Sequence, residues 1–350
     1  MLAGTHCVAI GIYSGLGDIV CALPSVMRLR ASGRRVILVM SVGIHRVAAE
    51  LLAQHLPPGD VLTVQWPPGK NLKSVWGLVQ ALRRERVQAF LVSPHPQLVH
   101  ASRKLPWLMA ALRGLGMRVL GAQADHRSWV YSHKVAVDRD LPIATREWQF
   151  LADLSGHRER GSFDWEPFRP QRVAQRSGGV LIHVGASKPN RRLPTRTVLD
   201  LIRQLETERP VRVVGLPAEL QELKALYAES TPAPGADVAF VSGSLVQALD
   251  TLKHMDCSIT MDSAFAHLAA AYGVPQVIVF GPSDPVSNRP VTFVPQTPVI
   301  QETQKLPCQP CGLHTCELGD FRCMNLISAA QIHAAVNRML AARPEAAAAV

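Results

Sequence analysis

The sequence lacks an uninterrupted apolar run long enough to cross a bilayer. Its longest apolar stretch, 264–281, is interrupted by His267, Gly273 and Pro275, a pattern typical of a helix, a turn and a strand. No Lys or Arg precedes the first apolar residues, so the N-terminus does not resemble a secretory signal. We therefore expect a cytoplasmic protein.

Aromatic residues are scarce, at 5% of the chain, and no segment alternates them with basic residues. This scarcity argues against a stacking platform for single-stranded nucleic acid, and we expect no nucleic-acid partner. Acidic residues are also few: the chain has 27 Asp and Glu and 37 Lys and Arg, which gives a net charge of +10. The charge favours an anionic partner, and a phosphorylated ligand fits best.

A complete dinucleotide-binding fingerprint is also missing. Gly15 and Gly17 follow the first predicted strand, but Val20 stands where the third glycine of G-x-G-x-x-G belongs. No acidic residue follows the second predicted strand, so a hydride-transfer enzyme is disfavoured.

The chain does contain a regular alternation of short β-branched strands and amphipathic helices. This pattern predicts the α/β class, with two Rossmann-like, doubly wound parallel sheets. Its 350 residues exceed what one core usually fills. We predict an N-terminal domain over 1–165, a linker over 166–177, a C-terminal domain over 178–328 and a terminal helix over 329–342. The predicted strands are 7–11, 35–40, 61–64, 89–92, 180–184, 211–214, 238–241, 258–261 and 276–280.

Asp18 stands in the first of three loops that follow predicted strands, where open parallel sheets bind ligands. It opens a helix after two glycines that let a ligand approach the backbone. One interpretation is a helix cap. The other is a general base that accepts a proton from a substrate hydroxyl.

The second loop, 184–194, combines the hydroxyl of Ser187 with three cations, Lys188, Arg191 and Arg192. Such a group could neutralise a diphosphate, and arginine offers it paired hydrogen bonds. The alternative is a solvated basic loop.

The third loop contains Asp262 and Ser263, where a strand runs into a helix whose first turn offers free N–H groups to an anion. His267 lies about one turn further on, either at a ligand or in the interior.

Taken in order, the sequence motifs resemble those of glycosyltransferase family 9, the ADP-heptose-dependent heptosyltransferases of lipopolysaccharide core synthesis. The resemblance rests on Gly17-Asp18-Ile19-Val20 with Leu23-Pro24, His183-Val184-Gly185-Ala186-Ser187, Asp262-Ser263 with Ala266-His267-Leu268, and Gly281-Pro282-Ser283-Asp284-Pro285. Two positions depart from the family pattern: Leu193 stands where Trp is usual and removes an aromatic wall, and Ala264 stands where Gly is common.

The resemblance implies a GT-B fold, in which two Rossmann-like domains face a cleft and the terminal helix returns toward the first. It implies an inverting transfer of heptose from ADP-heptose to an anionic inner-core lipopolysaccharide acceptor, without a metal in the transfer chemistry. In this scheme Asp18 is the base and Arg191 is catalytic. Donor contacts fall on Ser187, Arg191, Arg192, Asp262, Ser263 and His267. The alternatives are a heptosyltransferase that acts on a protein, and a non-catalytic module that binds a nucleotide sugar.

Four of the seven cysteines lie close together before the terminal helix, in the segment 307–324. Their spacing, with turn-forming Pro and Gly between them, suits a structural zinc or iron site, with His314 as a substitute ligand. The alternative is reduced structural thiols. The autotransporter branch of the family, which modifies proteins, is described as carrying iron in such a segment. The predicted ligands are Cys308, Cys311, Cys316 and Cys323.

A basic amphipathic helix is predicted around residues 103–113. We expect its apolar side, which includes Leu108, Met109 and Leu112, to pack on the sheet. Peripheral contact with the cytoplasmic face of the inner membrane is the alternative.

Overall fold

The chain divides into two compact units, Met1–Arg169 and Pro170–Val350. The structure is a computed structural model that describes residues 1–12, 15–64, 72–94, 105–123, 128–138, 140–155, 178–291, 299–313 and 315–341. The predicted linker over 166–177 lies outside these residues.

The described part of the first unit is a six-stranded parallel sheet with flanking helices, in the strand order β3-β2-β1-β4-β5-β6. Its elements are β1 (Cys7–Gly11), α1 (Leu16–Ala31), β2 (Arg35–Met40), α2 (Val42–Ala53), β3 (Val61–Thr63), α3 (Leu72–Arg84), β4 (Ala89–Val92), α4 (Leu105–Gly114), β5 (Arg118–Ala122), β6 (His133–Val135) and α5 (Ile143–Ser155).

Helices cover the first sheet because its central strands are apolar on both faces, as parallel strands usually are. Helices α3 and α4 pack side by side and contribute to one core cluster with β1, β2, β4 and β5. Leu108, Met109 and Leu112 of α4 are buried in that cluster, so core packing of this side of the helix is confirmed. Helix α5 packs against α1.

The described part of the second unit repeats this architecture, with a six-stranded parallel sheet in the order β12-β11-β10-β7-β8-β9. Its elements are β7 (Val180–His183), α6 (Thr195–Leu205), β8 (Val211–Val214), α7 (Pro217–Glu229), β9 (Val238–Val241), α8 (Leu245–Lys253), β10 (Cys257–Met261), α9 (Ala264–Ala271), β11 (Gln276–Val279), α10 (Pro285–Asn288), β12 (Val299–Glu302), α11 (Arg322–Asn325) and α12 (Ala329–Ala341).

Both sheets have the doubly wound order 3-2-1-4-5-6 when their strands are numbered from the start of each unit. The chain reverses its direction of winding between β1 and β4 in the first unit, and between β7 and β10 in the second. Ligands of such sheets bind outside the carboxyl ends of the strands at this point. The predicted α/β class is confirmed, and the two reversal points show where to look for sites.

The predicted strands are all present, with each end within one residue of its expected position. Strands β5, β6 and β12 and helix α5 were not predicted. Strand β6 has only three residues, one of them Lys134, and pairs with β5 at the edge of the sheet. Gly121 interrupts the apolar pattern of β5, where a Cβ would lie 2.3 Å from the ring of Tyr131. Short or interrupted strands depend on such tertiary partners more than on local pattern.

The terminal helix α12 packs within its own unit, against α6 and the strands β11 and β12. Ile332, Val336 and Met339 are buried in the core of the second unit. The spacing of these residues gives the helix one apolar stripe, and α6 and the sheet edge cover that stripe. The return of this helix toward the first domain, which the resemblance implied, stays a prediction.

Candidate active site

The second unit gathers polar side chains where its winding reverses. The loop 184–194 follows β7 and contains a short 3-10 turn, Pro189–Arg191. Strand β10 ends at Met261, and Asp262 and Ser263 then lead into α9. Since β7 and β10 are neighbouring parallel strands, their carboxyl ends place the two loops side by side.

Arg191 and Asp262 form an ion pair between these loops. Nη1 of Arg191 lies 2.9 Å from Oδ2 of Asp262 and donates to the Asp262 backbone oxygen at 3.4 Å. The side chains are 18% and 6% exposed, so the pair is largely shielded from solvent. A buried pair is costly unless further polar contacts complete it, which makes this arrangement typical of a binding site.

Arg192, the next residue, contacts different partners. Its Nε and Nη2 donate to the Ala186 carbonyl at 2.9 and 2.6 Å, and Nη2 lies 3.0 Å from Oε1 of Glu219. Glu219 in turn accepts the N–H of Leu216 at the start of α7. A Cβ at Gly185 would lie 2.7 Å from Oε2 of Glu219, so a larger residue here would displace that carboxylate from its contact with Arg192. Arg192 therefore holds the loop in shape.

Six buried polar atoms around the pair have no hydrogen-bond partner among the residues that the structure describes. Buried polar atoms in native proteins are almost always hydrogen-bonded, so such a concentration indicates a place where a polar ligand completes the bonding. The six atoms are His183 Nδ1, Asn190 Oδ1, Arg191 Nε, Asp262 Oδ2, Ser263 Oγ and Ser283 Oγ. Asp262 Oδ2 contacts Arg191 Nη1 as an ion pair, but the two groups are not aligned as a hydrogen bond, so Oδ2 counts among the six atoms.

Two groups of this cluster have shifted pKa values. Burial lowers the pKa of Lys188, and the neighbouring Arg191 lowers it further, while Asp262 opposes the shift. Burial lowers the pKa of His183 to about 4, with a smaller effect from the charge of Arg192. The His183 ring stacks on Phe265, with centroids 4.3 Å apart. His183 is thus neutral at physiological pH and adds no charge beside the cations.

The remaining predicted donor residues lie near these groups along the chain. Ser263 is the N-cap residue of α9, but its side chain makes no capping bond, so it does not satisfy the N–H groups of the first turn. Ser187 is exposed in the loop, and His267 is buried on α9. Leu193, which stands where the family has Trp, is buried in the core of the second unit.

In the first unit, Asp18 lies where the winding reverses, just after β1. Its Oδ2 accepts the N–H of Gly15 at 3.2 Å, so the capping interpretation describes a contact that is present. Its carboxylate is close enough to Glu147 of α5 to raise the pKa of that residue, and Glu147 in turn contacts Ser93, which directly follows β4. Sequence reasoning missed both Glu147 and Ser93.

Glu147 is 3% exposed and accepts a hydrogen bond from the Ser93 hydroxyl. Burial raises the pKa of Glu147 to about 8; the Ser93 bond opposes the shift, and the nearby Asp18 carboxylate adds to it. At neutral pH Glu147 is therefore mainly a neutral acid, beside a second carboxylate. One neutral and one charged carboxyl group in the same environment is a common arrangement for acid–base chemistry.

Protonated Glu147 is expected to make stability depend on pH. The folded-state pKa of Glu147, about 8, exceeds the ordinary value of 4.5. The stability that protonated Glu147 contributes is therefore fully present below pH 4.5 and is lost as pH rises to 8. Over that window the free energy of unfolding should fall by up to about 1.4 kcal/mol per pH unit. Glu147→Gln should remove this decline in urea unfolding, relative to the wild type.

The matched control for Glu147→Gln is Asp153→Asn, which removes a less buried carboxylate from the same helix. Its pH profile should follow that of the wild type. Parallel profiles for the wild type and Glu147→Gln between pH 5 and pH 8 would show that Glu147 is ionised in the fold.

The four clustered cysteines are not arranged as a metal site. Cys308 and Cys311 are exposed, Cys316 is partly exposed and Cys323 is buried. Within the described ranges, no three or more His, Cys, Asp or Glu side chains are placed to hold a metal, and His314 lies outside those ranges. The predicted metal site is therefore not supported.

Other contacts hold the cysteine segment in place. Gly312 donates its N–H to the Pro282 carbonyl at 2.7 Å, and Gln309 Nε2 donates to the Gly281 carbonyl at 2.6 Å. Asn190 Nδ2 donates to the Leu313 carbonyl at 2.8 Å, which links the segment to the loop that contains Arg191. The segment thus supports the candidate donor loops through backbone carbonyls.

No helix in the described part of the chain is both long and apolar enough to cross a membrane.

Comparison with solved structures finds the same fold in several heptosyltransferases. E. coli heptosyltransferase WaaC with ADP is 16% identical, with a TM-score of 0.65, over 95% of this chain and 99% of that one. E. coli ADP-heptose lps heptosyltransferase II is 17% identical, with a TM-score of 0.64, over 96% and 98%. The iron-containing dodecameric glycosyltransferase TibC of enterotoxigenic E. coli H10407 is 15% identical, with a TM-score of 0.54, over 96% and 76%.

A comparison with curated proteins finds no match. A family match covers most of the sequence: residues 75–320 match glycosyltransferase family 9 (heptosyltransferase). This range includes the loop 184–194, the Asp262–Ser263 turn and most of the cysteine segment. The chain belongs to glycosyltransferase family 9, the heptosyltransferases, and is a transferase.

Proposed function

We propose that this protein transfers heptose, with inversion, from ADP-heptose to an anionic inner-core lipopolysaccharide acceptor. The observation that carries the proposal is the Arg191–Asp262 pair, together with five other buried polar atoms that make no hydrogen bond among the described residues. The site is cationic and lies at the reversal point of a doubly wound sheet, where such folds bind nucleotides. Two similar structures support the donor by their descriptions, WaaC with ADP and WaaC with ADP-2-deoxy-2-fluoro heptose.

The departing diphosphate is the group that the second unit stabilises. As the bond between the anomeric carbon and the diphosphate oxygen breaks, negative charge grows on that oxygen. Arg191 and Lys188 supply positive charge from one loop, and the first turn of α9 supplies N–H groups. Asp262 orients the Arg191 guanidinium. These groups provide the charge that a metal provides in other transferases.

The first unit supplies the base. An acceptor hydroxyl oxygen bonds to the anomeric carbon on the face opposite the leaving diphosphate, and its proton passes to the Asp18 carboxylate. The N–H of Gly15 donates to Oδ2 of Asp18 and holds the side chain in one orientation. Neutral Glu147 nearby adds no second negative charge.

The second candidate function is transfer to a protein acceptor. The cysteine segment and the likeness to TibC favour it, because the autotransporter branch of the family has such a segment. The net charge of +10 favours the anionic glycolipid.

The donor is tested by thermal shift with a panel of nucleotide sugars and free nucleoside diphosphates. ADP-heptose should raise the melting temperature more than ADP-glucose or UDP-glucose. A ligand that binds the native state stabilises it by an amount that increases with the affinity and the concentration of the ligand. No stabilisation by any adenosine diphosphate compound would contradict the proposal.

The acceptor is tested with radiolabelled ADP-heptose and two substrates, lipopolysaccharide truncated before its heptoses and a purified autotransporter passenger domain. Label in the lipid fraction supports the first proposal, and label in the protein band supports the second. Binding of ADP-heptose without transfer or hydrolysis would identify a non-catalytic module.

A further inference from the structure

Helices α3 and α4 lie side by side on one face of the first sheet. Leu78 and Leu82 of α3 and Leu108 and Leu112 of α4 face the sheet and are buried. The short turn Ser128–Val130 packs against α4, and Arg113 Nη1 donates to the Val130 carbonyl at 3.3 Å. These three elements form a continuous outer layer.

The outer side of this layer exposes three tryptophans. Trp76 of α3 is 56% exposed, Trp107 of α4 is 70% exposed and Trp129 of the turn is 68% exposed. Tryptophan is highly buried on average, so three exposed rings on adjoining elements indicate an interaction surface. We call the exposed side of α3, α4 and the turn 128–130 the tryptophan face.

The tryptophan face is also basic. The sequences 72–84, 105–114 and 128–130 contain four cations and no Asp or Glu. All four cations are exposed: Lys73, Arg83, Arg84 and Arg113. Helix α2 of the same unit, by contrast, contains the exposed Glu50.

Tryptophan and cations together match the chemistry of a membrane surface. The indole ring prefers the boundary between headgroups and acyl chains, where its apolar body and its N–H are both accommodated. Each Lys or Arg near an anionic bilayer adds about 1 kcal/mol of attraction. The two helices and the turn themselves contain no carboxylate that acidic lipids would repel.

We propose that the tryptophan face binds the protein to an anionic phospholipid bilayer, with Trp76, Trp107 and Trp129 at the headgroup level. The tryptophan face contains none of the residues assigned to donor binding or to the base. The proposal goes beyond the proposed transfer reaction and holds for either acceptor.

Flotation of the full-length protein with lipid vesicles tests the proposal. The protein should float with vesicles of phosphatidylglycerol and phosphatidylethanolamine, and not with vesicles of phosphatidylcholine alone. Binding should weaken in 0.5 M salt, which screens the charges. The variant Trp76→Ser/Trp107→Ser/Trp129→Ser should lose at least tenfold in vesicle affinity, and so should Lys73→Gln/Arg83→Gln/Arg84→Gln.

The matched controls remove an exposed apolar residue and an exposed cation from the second unit. Leu216→Ala and Arg196→Gln should bind vesicles as the wild type does. Circular dichroism and melting temperature should be unchanged in all variants, because the replaced side chains are exposed. Transfer to a water-soluble acceptor should also be unchanged.

A second measurement locates the contact. Brominated lipids quench tryptophans that enter the headgroup region, so Phe replacement of each of the three tryptophans should reduce the quenched fraction. Trp148, which is 4% exposed, should contribute nothing to it. Failure of the wild type to bind anionic vesicles, or equal binding by the triple Ser variant, would overturn the proposal. Self-association abolished by the triple Ser variant, without vesicle binding, would also overturn it and show a protein interface.

Discussion

Asp18→Asn is expected to lower the transfer rate by about 10²- to 10⁴-fold, the usual contribution of a general base. An amide does not accept the proton from the acceptor hydroxyl at neutral pH. The amide oxygen still accepts the N–H of Gly15, as the Asp18 carboxylate does at 3.2 Å. Because the N–H of the N-cap residue Gly15 keeps an acceptor, the melting temperature should change little.

The affinity for ADP separates the catalytic role of Asp18 from a structural one. The groups assigned to the diphosphate belong to the second unit. Asp18→Asn should therefore leave the ADP dissociation constant within about twofold of the wild-type value. Asp18→Ala is the comparison, because it removes both the base and the cap and should cost about 1 kcal/mol of stability in addition to the rate. Near-normal turnover of Asp18→Asn would leave Asp18 with the capping role alone.

The fold could be predicted because the chain repeats one local pattern. Central strands such as β1 and β7 are short apolar runs between turn signals, and the helices that cover them have a single apolar stripe. Strands β6 and β12 could not be found in this way. Each is short and lies at the edge of its sheet, so pairing with one neighbour decides its conformation.

The site was predicted only in part, for two physical reasons. Arg191 and Arg192 are identical side chains in adjacent positions, and only the fold shows that the first pairs with Asp262 and the second with Ala186 and Glu219. Glu147 lies in a helix that was not predicted, and a glutamate in a helix is ordinarily solvated. Its burial depends on the contact between α5 and α1, which no local pattern indicates.

The metal prediction for the cysteine segment rested on spacing alone, and the described residues do not support it. Four thiols at short intervals suit tetrahedral coordination only when the backbone turns them toward one point. In this structure Gln309 and Gly312 are held by the Gly281–Pro282 turn, and two of the cysteines are exposed.

Arg191→Ala is expected to weaken the binding of ADP itself by about 10- to 150-fold, because a hydrogen bond to a charged group contributes about 1.5–3 kcal/mol. The sugar should not matter, since the guanidinium is assigned to the diphosphate. Isothermal titration with ADP and with ADP-heptose should therefore show similar losses. Loss for ADP-heptose alone would move Arg191 to the sugar.

The substitution also leaves the Asp262 carboxylate buried without its partner, which destabilises the fold. Two variants separate the loss of ADP binding from this loss of stability: Arg191→Lys and the double variant Arg191→Ala/Asp262→Asn. Lysine keeps the charge but loses the paired donors, so its ADP affinity should lie between those of the wild type and Arg191→Ala. The double variant should recover stability without recovering ADP affinity.

Two further variants show whether the effect belongs to Arg191 specifically. Arg196→Ala removes an exposed cation from the first turn of α6 and should leave ADP affinity unchanged, which controls for net charge. Arg192→Ala frees the Ala186 carbonyl and the Glu219 carboxylate, so it should lower the melting temperature and weaken ADP less than Arg191→Ala does. The opposite order, with Arg192→Ala the weaker binder of ADP, would assign the diphosphate contact to Arg192 and leave Arg191 as the partner of Asp262.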